Sequence, residues 1–201
     1  MLDSAVAAGH NTVDGGIGSW ITRRAFFAGD RIALVDGDRR ITYSELDRRT
    51  DQLAHALSES GVRQGDRVAV LMSNSAAFLE TLFAATKLGA VFVPINFRLA
   101  PPEVAYLLAD SGADVLVWSD HLSPLARAAL AGAGVRVRTR VVAGGEPADG
   151  ERQFEELLAS GEPRPPRTRV AGRDLFCLMY TSGTTGRPRA RCSRTTTSCG
   201  T

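Results

Sequence analysis

The feature that most constrains this chain is an alternation. Short β-rich apolar runs at 68–72 and 90–94 each follow a segment of helical apolar period that stops at a glycine, Gly61 and Gly89. Strands separated by helices of about ten or more residues pair in parallel through right-handed crossovers. The expected fold is therefore α/β, a layered and mostly parallel sheet with flanking helices.

The other elements follow from local signals. Thr42 and Glu45 have the spacing of a capping box, Leu46, Leu53 and Leu57 fall on one helical face, and Gly61 stands where a left-handed residue ends the helix. Glu45 is thereby given a structural role. Residues 31–35 and 39–42 flank Asp36-Gly37-Asp38, a hairpin turn in which both aspartates are turn formers. A helix is predicted over 76–88, another from Pro101-Pro102 to Ser111, a strand at 115–118, a helix at 122–130 and a strand near 135–142. Gly144-Gly145, Pro147 and Gly150 mark a loop, 154–159 a short helix, and the Pro/Arg-rich 161–173 a connector.

Composition removes several function classes. With 24 Lys+Arg against 22 Asp+Glu, no strong basic field is expected to hold nucleic acid or an anionic membrane. The pairs Arg23-Arg24, Arg39-Arg40 and Arg48-Arg49 are read as solvated faces too scattered to form one groove. No apolar stretch approaches the ~18 residues of a membrane span, hence no transmembrane segment is expected. Residues 1–16 are read as a flexible N-terminus; the small, polar, Gly-rich start lacks the pattern of a secretory signal, and a cytoplasmic location is expected. Cys177 reads as a buried thiol, and Cys192 and Cys199 complete neither a disulfide framework nor a zinc spacing, so no metal site is expected. His10, His55 and His121 are isolated from one another and are assigned solvent-facing or capping roles. Trp20 and Trp118 are assigned to the core or its edge.

The chemistry lies near the C-terminus. The apolar run 175–180 reads as a buried strand and leads into Thr181, Ser182, Gly183, Thr184, Thr185 and Gly186, four hydroxyls and two glycines. Glycines let successive N–H groups turn inward, and the hydroxyls donate to phosphate oxygens. A loop at the carboxyl end of a strand is also where α/β sheets bind ligands. The spacing is not that of the nucleotide-binding P-loop, since only two residues separate the glycines and no Lys-Ser/Thr follows.

Residues 180–189, YTSGTTGRPR, resemble the [YF]-T-S-G-[ST]-T-G-x-P-K-G signature of the adenylate-forming (AMP-binding) superfamily. The likeness extends upstream through TYSELDRR (42–49), GDRVAVLMSNS (65–75), KLGAVFVPINFRL (87–99) and LADSGADVLV (108–117). It covers 17–189, which are read as the incomplete N-terminal AMP-binding domain of an acyl-CoA synthetase. The resemblance implies an acid–thiol ligase: a small carboxylate, fatty or aryl, reacts with ATP to give acyl-adenylate and pyrophosphate, and CoA then takes the acyl group. It implies that Thr181, Ser182, Gly183, Thr184, Thr185, Gly186 and Arg189 contact the ATP phosphates, and that Mg2+ and CoA serve the intact enzyme. It further implies that the magnesium, ribose, hinge and C-terminal-domain residues lie beyond this chain. The chain alone is accordingly expected to be inactive, no catalytic residue is assigned in it, and a complementing C-terminal chain is one expected partner. A non-catalytic fragment that binds nucleotide or a partner is the alternative. The strand at 175–180 is expected to lack the neighbours that would cover it.

The likeness stops at 189. Arg189 and Ala190 stand where the signature has Lys and Gly, and from Arg191 onward the chain carries no apolar period. An arginine presents a broad planar fork where a compact ammonium is expected. A one-base deletion in the codon after Pro188 accounts for all of this together. One legal back-translation, with that base restored, replaces RARCSR at 189–194 by KGAVLT and continues as HDNLVWN, like the family's own continuation. Residues 190–201 are therefore read as an aberrant, frameshifted tail.

Overall fold

The computed structural model describes residues 16–181 and 189–194. Helix α1 (Ser19–Ala28) precedes a hairpin of β1 (Ile32–Asp36) and β2 (Arg39–Thr42), and α2 (Tyr43–Glu59) follows without a break. The α/β repeat then runs β3 (Arg67–Leu71), α3 (Ala76–Lys87), β4 (Val91–Pro94), α4 (Pro101–Ser111), β5 (Val115–Ser119), a 3-10 turn (Asp120–Leu122), α5 (Ser123–Leu130), β6 (Thr139–Ala143), β7 (Arg152–Gln153) and α6 (Phe154–Ala159). It ends with β8 (Leu175–Thr181) and β9 (Arg189–Arg194). The seven-stranded sheet has the order β7-β6-β5-β3-β4-β8-β9. Its pairs are parallel except β8 with β9, and the β1–β2 hairpin stands apart from it.

Alternation along the strands divides the core. Val68 and Val70 of β3 face α2, α3 and α6, together with Leu53, Leu57, Phe92, Phe154 and Cys177. Ala69 and Leu71 face α4 and α5, together with Val93, Leu108, Leu116 and Trp118. Neighbouring residues of one strand thus feed opposite layers, as the period of two requires. Trp118 is fully buried and its Nε1–H donates to Ser123 Oγ at 3.0 Å.

The helix ends follow the local chemistry. Thr42 Oγ1 accepts from the Glu45 N–H at 3.2 Å, and Gly61 takes a left-handed φ of +92° just beyond α2. Ser75 caps α3, and the Asp36 carboxylate accepts from the Ala76 N–H at 2.8 Å, so this turn aspartate also ties the hairpin to a helix N-terminus. Several expectations need correction. Helix α1 was not foreseen, because its N-cap, Gly18, offers no side-chain hydrogen bond and no acidic residue opens it. What α1 has instead is close approach: a Cβ on Gly18 would lie 2.6 Å from the Lys87 backbone nitrogen. Strand β6 starts at Thr139 rather than 135, and β7 is a two-residue strand within a stretch read as loop. Trp20 is 54% exposed and belongs to no core.

Arg49 is the largest correction, since it is buried rather than solvated. Its Nε and Nη2 donate to the two carboxylate oxygens of fully buried Glu80 at 2.6 and 3.1 Å, and Nη2 also reaches Glu155 at 2.8 Å. Burial opposes the charge on Arg49, but the hydrogen bonds to Glu80 and Glu155 outweigh it and hold the guanidinium more firmly protonated than usual. A second buried cation, Lys87, donates to Asp47 and Asp51, each at 2.6 Å. Burial pushes the Asp51 carboxyl up, and Lys87 offsets only part of that. These networks join α2 to α3 and α6. We expect Arg49→Met to destabilise the fold by about 3–5 kcal/mol, because Glu80 is left as an uncompensated buried charge. Arg49→Met with Glu80→Met should cost clearly less. Urea denaturation of the two variants checks both.

Candidate functional site

Four parallel strands, β3, β4, β5 and β8, release their chains at the same carboxyl edge. The candidate site is built there, at the end of β8. This strand enters the sheet beside β4 with Phe92 opposite Cys177, and the edge-to-face contact of Phe78 on Phe92, with centroids 5.2 Å apart, backs that point. The register of β8 against β9 slips between Leu175 and Cys177, and Phe176 and Cys177 both pack on the first core layer while Leu178 and Tyr180 pack on the second. The expectation of an uncovered strand is corrected in part. β4 flanks β8 on one side and β9 on the other, yet Cys177 is its only buried side chain and Met179 is 44% exposed.

Tyr180 fixes the end of the strand. Its hydroxyl donates to Asp110 Oδ2 at the end of α4, at 2.7 Å. Burial, and then the Asp110 carboxylate, push the phenol well above the usual tyrosine range, so it stays a donor. Asp110 carries no sequence signal of this role beyond its place in the 108–117 segment.

Thr181 ends β8, exposed, and its cross-strand partner is Arg189, the first residue of β9. The two ends of the candidate loop are thus brought opposite one another. Ser182, Gly183, Thr184, Thr185 and Gly186 lie outside the described residues. Residues 189–194 form a strand despite lacking an apolar period, because pairing with β8 uses backbone groups and not side chains. Among the described residues no group of three or more His, Cys, Asp or Glu side chains could hold a metal ion. His121 is exposed, while His55 is half-buried and its Nδ1 has no hydrogen-bond partner.

A family profile described as "AMP-binding enzyme" matches residues 21–191. The chain belongs to the AMP-binding enzyme family. Among its relatives, the feruloyl-CoA synthase of an Amycolatopsis species is 45% identical over 174 residues, 87% of this chain and 32% of that one. The long-chain-fatty-acid–CoA ligase of Mycobacterium tuberculosis is 38% identical over 175 residues, 85% of this chain and 33% of the relative. The structure of the anthranilate CoA ligase AuaEII in complex with anthranoyl-AMP superposes with a TM-score of 0.86 at 29% identity, covering 92% of this chain and 35% of that one. The chain thus spans about a third of the length of these AMP-binding relatives. Its sheet and flanking helices are those of the N-terminal part of adenylate-forming ligases.

Burial pushes the Cys177 thiol up to about 11, whereas Cys192 on β9 is exposed. At pH 8 we expect Cys192 to react readily with a maleimide and Cys177 roughly 100-fold more slowly, through its smaller thiolate fraction and its burial. Mass-spectrometric mapping of a labelling time course checks this. Fast labelling of Cys177 would mean that β8 is not docked on β4.

Proposed function

We propose that this chain supplies the ATP-phosphate-holding part of an acyl-CoA or aryl-CoA ligase, one that activates a small carboxylate as its adenylate and passes the acyl group to CoA. The observation that carries the reading is the β8–β9 hairpin. Its paired ends, Thr181 and Arg189, stand at the carboxyl edge of a parallel sheet, and the five residues that follow Thr181, Ser182 to Gly186, are all hydroxyl-bearing or glycine, with Arg187 and Pro188 completing the connection in sequence. Inward-turned N–H groups with Thr181, Ser182, Thr184 and Thr185 would grip the β- and γ-phosphates, and the cation of residue 189 would add charge. Oriented donors of this kind stabilise the charge that moves onto pyrophosphate as the carboxylate attacks the α-phosphorus. A bound Mg2+ would neutralise part of the triphosphate charge, and no residue described here is assigned to it.

The relatives of known activity are about three times longer, so adenine, acyl and CoA contacts are assigned to segments not present in these 201 residues. The 201-residue chain by itself is then a binder without turnover. Calorimetric titration should show weak ATP binding that inorganic triphosphate displaces and adenosine does not. Ser182→Ala with Thr185→Ala should weaken it about tenfold or more, the worth of one or two charge-assisted hydrogen bonds. A folded chain that ignores triphosphate at millimolar concentration would contradict the reading. A separately produced C-terminal part of a relative, added in trans, should restore pyrophosphate release.

We also propose that residues 189–201 stem from a single-base frameshift. Support comes from the register: Cys192 lies opposite Leu178 and Ser193 opposite Cys177, and these are the positions where the restored frame reads Val and Leu. Apolar side chains there would sit beside apolar partners on both faces of the sheet. Cys192→Val with Ser193→Leu is expected to stabilise the chain by about 1–2 kcal/mol, from the added apolar burial. Thermal denaturation of that variant reads the effect, and resequencing the gene across codons 185–201 tests the origin.

A further inference from the structure

The Pro/Arg-rich connector that delivers β8 to the sheet is hydrogen-bonded to the body of the protein at its two ends. At one end the carbonyl of buried Gly161 accepts from Gln52 Nε2 at 3.4 Å, and at the other Asp174 Oδ2 accepts from Gln64 Nε2 at 3.0 Å. Between them, 165–169 form no hydrogen bond and no ion pair among the described residues. Backbone groups left without protein partners mark a segment that water or a ligand must serve.

A cavity of about 390 Å³ lies between this stretch and the last turns of α2. That volume falls in the ~300–1,000 Å³ range of small-molecule sites. Its polar lining is made of groups able to donate. Helix α2 contributes His55 and Ser58, the connector contributes Arg164, Arg167 and Thr168, and no carboxylate or amide side chain lines it. Arg164 is already paired with Glu162. The side chains of Ser58, Arg167 and Thr168 have no partner among the described residues. His55 makes no hydrogen bond either: Nδ1 is buried, and Glu59 Oε1 stands 3.8 Å away, too far for one. Donors thus face one another across the cavity, and the group missing between them is an acceptor.

Charge and shape select its class. With Arg164 compensated by Glu162, Arg167 is the one uncompensated arginine of the lining, which matches a single negative charge and not the several of a polyphosphate. The planar guanidinium fork meets the two oxygens of a carboxylate. Pro165 and Pro166 add an apolar wall for the organic body attached to it. Ser58 lies in the last turn of α2, which leads into β3, and the connector leads into β8, so the cavity sits toward the amino edge of the sheet. The loop after β8 is at the other edge.

We propose that this cavity binds a small organic monocarboxylate, held by Arg167, Ser58, Thr168 and the His55 ring, and that the bound anion fastens the connector to α2. The assignment does not depend on nucleotide binding. Benzoate titrated calorimetrically into the whole chain should bind, whereas benzamide, which keeps the ring and loses the charge, should not. Acetate, which has no body to cover the prolines, should bind roughly tenfold more weakly than benzoate. Arg167→Gln should weaken benzoate binding roughly tenfold or more, and Arg167→Lys should recover only part of that loss. Ser182→Ala with Thr185→Ala should leave benzoate binding unchanged, which separates this site from the triphosphate loop. Bound benzoate should slow amide exchange in peptides spanning 161–174, and circular-dichroism melting checks that each variant remains folded. No binding of benzoate at millimolar concentration, equal binding of benzamide or of acetate, tighter binding of inorganic phosphate than of benzoate, or an unchanged affinity in Arg167→Gln would each overturn the proposal.

Discussion

The carboxyl edge of this molecule depends on one contact, the parallel pairing of Phe92 in β4 with Cys177 in β8. Strands β3, β4, β5 and β6 follow one another through helices that bury both faces of the sheet. Strand β8 arrives after the short helix α6 and a long connector, and is registered to its parallel neighbour at that single point. Phe78 on Phe92, the burial of Cys177 and the Tyr180–Asp110 hydrogen bond supply what an extended ladder would otherwise supply. Without that docking, the hairpin that follows would have no fixed position relative to the sheet.

Behind that contact stands a scaffold whose helices are locked by buried charge. Arg49 with Glu80 and Glu155, and Lys87 with Asp47 and Asp51, place two compensated networks between α2, α3 and α6. Ion pairs of this sort add little net stability over apolar packing, but they penalise every arrangement that separates the partners. They set the position of α3, and through Phe78 that of β4. The chain of constraint thus runs from buried charge, through a helix, to the strand that carries the candidate site.

Much of the fold was legible in the sequence because it rests on local signals. The cap at Thr42, the left-handed Gly61, the turn at Asp36-Gly37-Asp38 and the prolines opening α4 all specify backbone conformation within a few residues. What escaped rests on distant partners. Arg49 beside Arg48 looks like a solvated pair until Glu80 and Glu155 arrive from elsewhere in the chain. Helix α1 has no cap and is held by Lys87 and Asp47, and β9 is a strand only because β8 offers it backbone partners. The candidate site is visible in the sequence only as composition, hydroxyls and glycines after an apolar strand, and of its loop only the two flanking ends, Thr181 and Arg189, fall among the described residues. The Tyr180–Asp110 anchor is not visible in the sequence, since residues 70 apart meet there.

The chain belongs to the AMP-binding enzyme family, and the structure sets the two ends of the β8–β9 hairpin opposite one another. The central claim is that triphosphate is held between β8 and β9 and not elsewhere on the chain. Amide hydrogen exchange with and without inorganic triphosphate tests it most directly. The account predicts added protection confined to peptides spanning 175–194, with α2, α3 and the rest of the sheet unchanged. Protection that appears at another surface, or none at a concentration that saturates binding, would contradict it.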